Sequence, residues 1–424
     1  MYRLKSEIKK HYHWVILAIL LIQSIVYGSV GNAASVYVIP ITETLQISRG
    51  LFSSLGSITN VVVTITTLVI TRFLHKFGFK KTAIVSMSLF ALSCVISGLS
   101  SNAYIYAVSR VVYGVSCSAL SVTGVVWLMR AWIHKHYGMC LGIVTMGTGI
   151  GGMISSVVSA GMIEALGWQW SYIITGLVAA ATIPLYFLVR NTPKEMGLKP
   201  YGEGQLIHEK HKNSRRMQQW KGVSVEQTQR HPAFKLMCIL AFLISFCLYC
   251  PWYLVAPHFR DNGYTAIDAA AYQSFMMLAL AIVKFLCGII SEKIGGKALA
   301  VVCIVCTIFG HIGFADVSNP YLSYLWMVLL AISMTLTSVS IPLIIEAIFG
   351  VEAGSRFVGT FMGISTGAAI LAAPVCNMLF DMIGSYSPIF MTTGALNIVW
   401  LIGLFVVFRM YGKVEKQWLL EHRA

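Results

Sequence analysis

The feature that most constrains this chain is a succession of long apolar segments separated by short polar gaps. The hydrocarbon core of a bilayer is about 30 Å thick, so a helix needs about 20 apolar residues to cross it. Twelve segments approach or exceed this length, near residues 14–39, 51–73, 82–100, 104–129, 138–163, 168–189, 233–257, 267–290, 297–315, 321–348, 356–380 and 386–410. The pattern predicts an all-α integral membrane protein with twelve transmembrane helices.

Composition excludes a soluble domain. Charged residues make up 11% of the chain and hydrophobic residues 57%, whereas soluble domains carry about 25% charged residues. The basic stretch 1–13 precedes an apolar run that is too long for a cleaved signal, so we expect a retained first span. The ten cysteines lie inside apolar runs, which favours packing over disulfides or metal binding.

The positions of Lys and Arg predict the topology. Of the 31 basic residues, 27 fall in segments on the side of the N-terminus. The opposite side holds only Arg49 and Arg260, and Arg110 and Lys284 fall inside spans. Because cytoplasmic loops are enriched in Lys and Arg, both termini are predicted to be cytoplasmic. The net charge of +15 is therefore a topology signal and does not indicate nucleic-acid binding.

The chain repeats itself at an offset of 217 residues. Pro40 corresponds to Pro257, and Gly142 to Gly359, each at the same place relative to its spans. Two six-helix halves of like orientation predict a substrate site near the membrane midplane between them. We therefore expect an N-terminal bundle over 1–189, a cytoplasmic linker over 190–232, and a C-terminal bundle with a short tail over 233–424.

A short basic loop follows the eighth apolar segment and reads Gly288-Ile-Ile-Ser-Glu292-Lys293-Ile-Gly295-Gly-Lys297. Its glycines allow a tight turn, its acid can pair across a cytoplasmic gate, and its cations can lie among lipid headgroups. The loop resembles the G-x-x-x-[DE]-[RK]-x-G-x-[RK] motif of the major facilitator superfamily. The resemblance implies a fold of two six-helix halves and gating roles for Gly288, Glu292, Lys293 and Gly295.

The matching loop of the first half departs from that motif. It keeps Gly78 and Lys81, but Thr71 replaces the leading glycine and His75 replaces the acid. We expect Gly78 and Lys81 to take part in gating without an acid-mediated latch.

Two further stretches resemble motifs of the same superfamily. Arg110-Val-Val-Tyr113-Gly114 is similar to its R-x-x-x-G motif, and residues 142–152 resemble its glycine-rich fifth helix. Glycines let two helices approach closely and slide, so both packing and gating fit them.

Within the superfamily, the chain looks most like the monocarboxylate-transporter and oxalate:formate-antiporter relatives. The resemblance is carried by Tyr37-x-x-Pro40, Ser48-Arg49, Trp132-x5-Gly138, Gly167-Trp168 and Asn191-Thr-Pro193-Lys-Glu195-x-Gly197-Leu198. Lys284 stands where those families place an arginine that binds the substrate carboxylate. Thr366 replaces a second cation of the oxalate type, and Leu280 replaces an aspartate of the monocarboxylate type.

Lys284 and Arg110 are the main candidates for substrate binding. A Lys or Arg at the bilayer centre costs about 2.5–3.5 kcal/mol, so one that persists usually faces a polar cavity. Lys284 shares a helical face with Gln273, although its stem could instead extend to the headgroups. Arg110 could bind substrate or tie neighbouring helices through their carbonyls. Mid-membrane carboxylates are missing, which favours an anionic substrate that supplies the negative charge.

The remaining candidates are polar or aromatic residues of the spans. Those predicted to bind substrate are Tyr27, Asn32, Tyr113, Tyr249, Tyr253 and Thr366, each with helix packing as the alternative. Glu346, near the cytoplasmic end of the tenth span, is expected to pair with Arg356 or the loop cations in a gate or scaffold role.

Together these patterns favour a secondary active transporter that moves a small organic anion, a mono- or dicarboxylate, by alternating access. Exchange or uniport fits the residues better than proton symport. The alternatives are efflux of a lipophilic compound and a transporter-like sensor that binds a ligand without net transport. We expect a monomer in the cell membrane whose partners are the anion and the lipid bilayer. Nucleic acid, cofactors, metals and enzymatic activity are not expected.

Overall fold

The computed structural model describes residues 11–135, 137–202, 224–294, 296–336, 344–345 and 348–421. Within these ranges all regular elements are helical, and an isolated β-bridge pairs Ile133 with Tyr201. The chain forms two compact units, Met1–His211 and Lys212–Ala424.

The N-terminal unit contains six apolar helical spans. Its helices are α1 (Tyr12–Gly31), α2 (Val38–Leu45), α3 (Arg49–Gly98), α4 (Ala103–Leu120), α5 (Val122–Trp132), α6 (Tyr137–Leu166) and α7 (Trp168–Thr182), with 3-10 turns at Ala34–Tyr37, Ile183–Leu188 and Pro193–Met196. By length and composition, the spans are Tyr12–Leu45, Arg49–Thr67, Arg72–Gly98, Ala103–Trp132, Met139–Leu166 and Trp168–Leu188. Each corresponds to one of the first six predicted segments.

The C-terminal unit repeats this organisation. Its helices are α8 (Val225–Arg230), α9 (Pro232–Trp252), α10 (Val255–Asp261), α11 (Ala266–Ile294), α12 (Gly296–Phe314), α13 (Pro320–Thr335), α14 (Val351–Ile383) and α15 (Ser387–Glu421). Four described segments are long and apolar enough to cross a membrane, namely Pro232–Trp252, Ala266–Val283, Thr360–Ile383 and Ser387–Val414, and two shorter apolar helices are Ala298–Phe314 and Pro320–Met334. The all-helical membrane architecture is confirmed. Residues 337–343 and 346–347 of the tenth predicted span, with Glu346, lie outside the described residues.

Side-chain caps mark where several helices begin. The first N–H groups of a helix have no partner within it, and a side-chain oxygen before the helix can accept from them. Ser48 Oγ accepts from the Leu51 N–H at 3.1 Å, and Asn102 Oδ1 accepts from the Ile105 N–H at 3.0 Å. These caps fix the starts of α3 and α4.

The turn inside α3 depends on a glycine and on a side chain from the far end of the unit. Gly78 interrupts the helix with φ 77° and ψ 165°, a backbone region that residues with a β-carbon rarely adopt. Asn191 Oδ1 accepts from the Lys80 N–H at 3.0 Å and so caps the helix that restarts there. A β-carbon at Gly78 would lie 2.5 Å from Asn191 Nδ2. The glycine is therefore required by both conformation and space.

The first residues after α7 are folded against the N-terminal unit. Thr192 and Glu195 form a capping box. The Tyr201 N–H donates to the Trp132 carbonyl at 2.9 Å, and the Tyr201 ring stacks on His13 with centroids 4.4 Å apart. These contacts attach residues 191–202, the start of the predicted linker, to the helix ends of this unit.

Glycines bring α1 and α6 into backbone contact. A β-carbon at Gly151 would lie 2.0 Å from the Ile25 carbonyl oxygen, and one at Gly28 would lie 2.3 Å from the Thr148 carbonyl oxygen. Small residues allow this approach, which lets van der Waals packing hold two helices together in lipid. The glycine-rich sequence of the fifth span therefore has a packing role in this structure.

Gly151→Ala is expected to lower the thermal unfolding temperature and the folded yield of the detergent-solubilised protein. Extra atoms in a closely packed contact typically cost about 1–3 kcal/mol. Gly142→Ala is the matched control because Gly142 lies on the same helix and an added β-carbon there meets nothing within 4 Å. Equal melting temperatures for the two variants, measured by fluorescence-detected thermal denaturation, would contradict the packing role.

Candidate functional site

Arg110 lies in the interior of the N-terminal unit. It is seven residues from the start of α4, at Ala103, which places it about 10 Å along the helix at 1.5 Å per residue. Among the described side chains it is the only Lys, Arg, Asp or Glu that is buried, with 6% of its surface exposed. Its Nη2 donates to Ser97 Oγ, and its Nε donates to Ser109 Oγ at 3.3 Å.

Three tyrosine rings surround the guanidinium. Its central carbon lies 4.7 Å from the ring centroid of Tyr106, 5.2 Å from that of Tyr113 and 5.5 Å from that of Tyr172. A cation within about 6 Å of an aromatic centroid is attracted by the ring quadrupole. Tyr106 and Tyr113 lie four residues before and three after Arg110, so the helix itself brings them to its side. We call Arg110, Ser97, Ser109 and the three tyrosines the Arg110 cage.

A second layer of polar contacts joins the cage to the first span. The Tyr37 hydroxyl donates to Ser159 Oγ at 3.0 Å, and the same hydroxyl oxygen lies 2.7 Å from Ser171 Oγ. Its ring centroid is 4.3 Å from that of Tyr172. The Tyr106 and Tyr172 hydroxyl oxygens are 3.4 Å apart. The cage therefore connects α3, α4 and α7 to the 3-10 turn before α2 and to α6.

Among the residues that the structure describes, the positive charge of the cage has no negative partner. The described partners of Arg110 are hydroxyls and aromatic rings, and a carboxylate is not among them. They also differ from the predicted alternative, in which Arg110 would tie carbonyls of neighbouring helices. Rings and hydroxyls reduce the cost of burying the cation but leave its charge un-neutralised. Chemically, such a site attracts an anion.

A break in the fourth span lies C-terminal to the cage, on the side predicted to be cytoplasmic. Ser121 is extended, with φ −70° and ψ −177°, and separates α4 from α5. Gln23 Nε2 donates to the Leu120 carbonyl at 3.1 Å, and Gln23 Oε1 accepts from the Tyr186 hydroxyl at 2.9 Å. A buried amide of the first span thus satisfies a carbonyl freed by the break. Gln23 was not among the candidates predicted from the sequence, although a glutamine within an apolar span was a visible signal.

The predicted residues of the first and fourth spans occupy different surroundings. Tyr113 belongs to the Arg110 cage, and its ring also lies 5.4 Å from that of Phe90. Asn32 Nδ2 donates to the Thr148 carbonyl at 2.8 Å, in the contact between α1 and α6. Tyr27 is half-buried on α1. The structure therefore brings Tyr113 to Arg110 and gives Asn32 a helix-packing contact.

In the C-terminal unit, three predicted residues lie on α9 and α14 or at their ends. Tyr249 is half-buried on α9, and Tyr253 follows its last residue. Thr366 is half-buried on α14, and its hydroxyl donates to the Met362 carbonyl at 2.9 Å. One residue earlier, Ser365 Oγ accepts from Ser245 Oγ at 2.9 Å and so connects the two helices.

Lys284 lies on α11, and its side chain is outside the described part of the structure. The helix continues to Ile294, four residues beyond the predicted span end at 290, so position 284 is ten residues from the end of the helix. Gln273, Met277 and Leu280 precede it on one helical face, and all three are buried. Position 284 is in helical register with these three residues.

The structure describes the predicted gating residues of the N-terminal half but not those of the C-terminal half. Gly78 forms the turn in α3, and Lys81 lies exposed three residues later. Gly295 and Glu346 are outside the described residues, and the side chains at 288, 292 and 293 are not described either. The gating roles of this second set stay predictions.

Comparison with known proteins identifies a family and several related transporters. The model of the Major Facilitator Superfamily matches residues 19–341. Similar proteins include the probable sulfoacetate transporter SauU of Cupriavidus necator, 26% identical with 76% of each chain covered. The sialic acid transporter NanX of Escherichia coli is 21% identical with 80% of each chain covered. Multidrug resistance protein 2 of Bacillus subtilis is 23% identical over 55% of this chain and 56% of that protein.

Solved structures show the same fold. The crystal structure of a bacterial homologue of the human lysosomal transporter Spinster, inward-facing and occupied, superposes with a TM-score of 0.74. It is 14% identical in sequence, and the match covers 95% of this chain and 97% of the other.

Proposed function

Because this chain belongs to the Major Facilitator Superfamily and is a multi-pass secondary transporter rather than an enzyme, we propose that it carries a small organic anion. The substrate class is a mono- or dicarboxylate, moved across the cytoplasmic membrane by alternating access. A carboxylate is chosen because the sequence resembles monocarboxylate transporters and oxalate:formate antiporters.

The observation that carries the proposal is the charge of the side chains buried within the spans. Arg110 is buried among hydroxyls and tyrosine rings, and the described side chains include no buried Asp or Glu. A cation taken out of water without a counter-ion is costly. An anionic substrate would reduce that cost on entry, whereas a cationic substrate would increase it.

The relatives support the same class of substrate. Sulfoacetate and sialic acid are both organic anions, and the proteins named for them each match about three quarters or more of this chain, 76% and 80%. Their identities to this chain, 26% and 21%, are low. These relatives therefore support a negatively charged substrate, and the transport experiment below would identify it.

The same charge distribution indicates whether transport is coupled to protons. Proton-coupled carriers commonly use a buried Asp or Glu as the proton acceptor. Such a group is missing from the buried side chains that the structure describes. We propose exchange or uniport, in which the gradient of the anion itself drives transport.

Efflux of a lipophilic compound is the second candidate. It is favoured by the similarity to Multidrug resistance protein 2, which covers 55% of this chain. The un-neutralised Arg110 argues against a cationic efflux substrate, which leaves neutral or anionic lipophilic compounds for this candidate.

Reconstitution into proteoliposomes tests the proposal. Labelled mono- and dicarboxylates, sulfoacetate and sialic acid would be offered to vesicles loaded with the unlabelled anion, with the corresponding amides as neutral controls. Uptake that requires the internal anion is expected for exchange, and uptake into empty vesicles that is insensitive to a pH gradient is expected for uniport. Accumulation driven by a pH gradient would contradict the proposed coupling. Flux of lipophilic compounds alone would favour efflux, and saturable binding without flux would favour a sensor.

A further inference from the structure

A groove on the N-terminal unit is lined by the second, third and fourth spans. It has a volume of about 460 Å³, which is within the range of about 300–1,000 Å³ found for small-molecule sites. Most of its wall is apolar, and its members include Val69, Phe73, Phe77, Val85 and Val115. Each of these five side chains is also partly exposed on the surface of the protein.

One end of the groove is basic. Lys81 lines it, immediately after the turn at Gly78. The loop around that turn also carries Arg72, Lys76 and Lys80, and it has His75 where the second half has an acid. The loop is therefore a concentration of positive charge without a carboxylate.

Lys81 is the one basic residue of this loop that lines the groove, as far as the described residues show. Lys80 Nζ donates to the Phe187 carbonyl at 3.0 Å, and Lys76 Nζ lies 5.3 Å from the Phe77 ring centroid. Lys81 is exposed and makes neither a hydrogen bond nor an ion pair with a described group. Because it lines the groove and its ammonium group has no described partner, Lys81 can contact a ligand there.

The length of the groove matches one leaflet of a bilayer. From Lys81 to Leu89 along α3 is eight residues, or about 12 Å at 1.5 Å per residue. From Phe77 back to Thr66 is eleven residues, or about 16 Å. Half of a hydrocarbon core of about 30 Å is about 15 Å. An acyl chain entering at Lys81 would therefore run along the groove to about the bilayer midplane.

We propose that this groove binds an anionic glycerophospholipid of the cytoplasmic leaflet, with the phosphate at Lys81 and an acyl chain along Phe73, Val85 and Val115. The predicted topology places the basic end of the groove at the cytoplasmic surface, where anionic headgroups attract Lys and Arg. The polar groups deeper in the groove are hydroxyls, among them Ser86 and Ser118. A second charged group is absent from the described lining, so one headgroup at the mouth and an apolar chain inside fit its chemistry.

Native mass spectrometry of the delipidated, detergent-solubilised protein tests this site. The protein would be titrated with palmitoyl-oleoyl phosphatidylglycerol and, separately, with phosphatidylcholine of the same chains. We expect one phosphatidylglycerol to bind with higher affinity than phosphatidylcholine. Lys81→Gln is expected to weaken that binding about fivefold, the effect of one cation near an anionic lipid surface. Lys76→Gln is the charge-matched control because Lys76 belongs to the same loop but does not line the groove.

A second pair of variants tests the apolar part. Val85→Trp fills the groove and is expected to lower its occupancy by phosphatidylglycerol. Leu92 lies on the same helix and is also exposed, but it does not line the groove, so Leu92→Trp is expected to leave that occupancy unchanged. Equal binding of the two lipids, or equal effects of the two lysine variants, would overturn the proposal. Displacement of the bound lipid by a transported anion would also overturn it, because the groove would then belong to the transport path.

Discussion

Replacement of Lys284 by alanine is expected to abolish saturable uptake of the anion while leaving folding intact. A buried charge pair that loses one member typically costs about 2–5 kcal/mol. At 1.4 kcal/mol per tenfold change, this corresponds to a loss of affinity of about thirtyfold or more. Removal of an intramembrane charge does not by itself oppose membrane insertion, so expression and thermal stability should be retained.

The position of Lys284 in the helix supports this expectation. Position 284 continues the face of α11 that carries buried Gln273, Met277 and Leu280. A lysine on a lipid-exposed face near the end of a span could extend to the headgroups, whereas position 284 is in register with buried residues and lies six residues, or about 9 Å, before the predicted span end at 290.

Two further lysine variants sharpen the test. Lys284→Arg keeps the charge but replaces a single ammonium with a planar fork, so transport should persist with altered selectivity among carboxylates. Lys235→Ala removes an exposed lysine at the start of α9 and should leave uptake unchanged. If Lys284→Ala transports an organic anion with unchanged apparent affinity, the assignment of Lys284 to the substrate site is wrong.

Arg110→Gln is expected to reduce the initial rate of anion uptake by at least about tenfold, the equivalent of 1.4 kcal/mol. The substitution removes the only buried charge among the described Lys, Arg, Asp and Glu side chains. It also removes interactions with three tyrosine rings, and each such contact is worth about 0.5–2 kcal/mol depending on its exposure. Part of the loss can therefore come from the fold, and stability must be measured beside transport.

Arg110→Lys separates the two contributions. Lysine keeps the positive charge but cannot reproduce the planar stacking and the fork of donors that contact Ser97 and Ser109. If the charge serves the anion, Arg110→Lys should retain much more uptake than Arg110→Gln at similar melting temperatures. If the two variants lose uptake and melting temperature in parallel, the cage is a purely structural connection. Arg130→Gln, an exposed cation at the end of the same span, is the control and should match the wild type.

Much of the fold could be predicted because hydrocarbon imposes a simple rule. Each span must be long, apolar and internally hydrogen-bonded, so the number and positions of the helices follow from local composition. The six N-terminal segments correspond to the described spans. Local chemistry also predicted the turn at Gly78, where the backbone has positive φ. Arg110 and Tyr113 were both candidates in sequence, and the structure brings them together because residues three apart on a helix share a face.

Other features depend on residues that are distant in the chain. Ser97 and Tyr172 reach Arg110 from other helices, Gln23 satisfies the carbonyl of Leu120, and Asn191 caps the helix after Gly78. No periodicity or motif encodes such contacts, since they depend on how far and at what angle the helices pack.

The sequence by itself determined which parts of this protein lie in the membrane and which charges lie among them, because burial in lipid restricts each segment independently. Only the tertiary structure decided which groups surround those charges. In sequence, Arg110 was compatible with carbonyls of neighbouring helices or with a substrate, and packing of the helices gave it hydroxyls and tyrosine rings. The reason is geometric: a buried polar group is stabilised only by atoms within hydrogen-bonding or ring-contact distance, and the packed chain alone defines those distances.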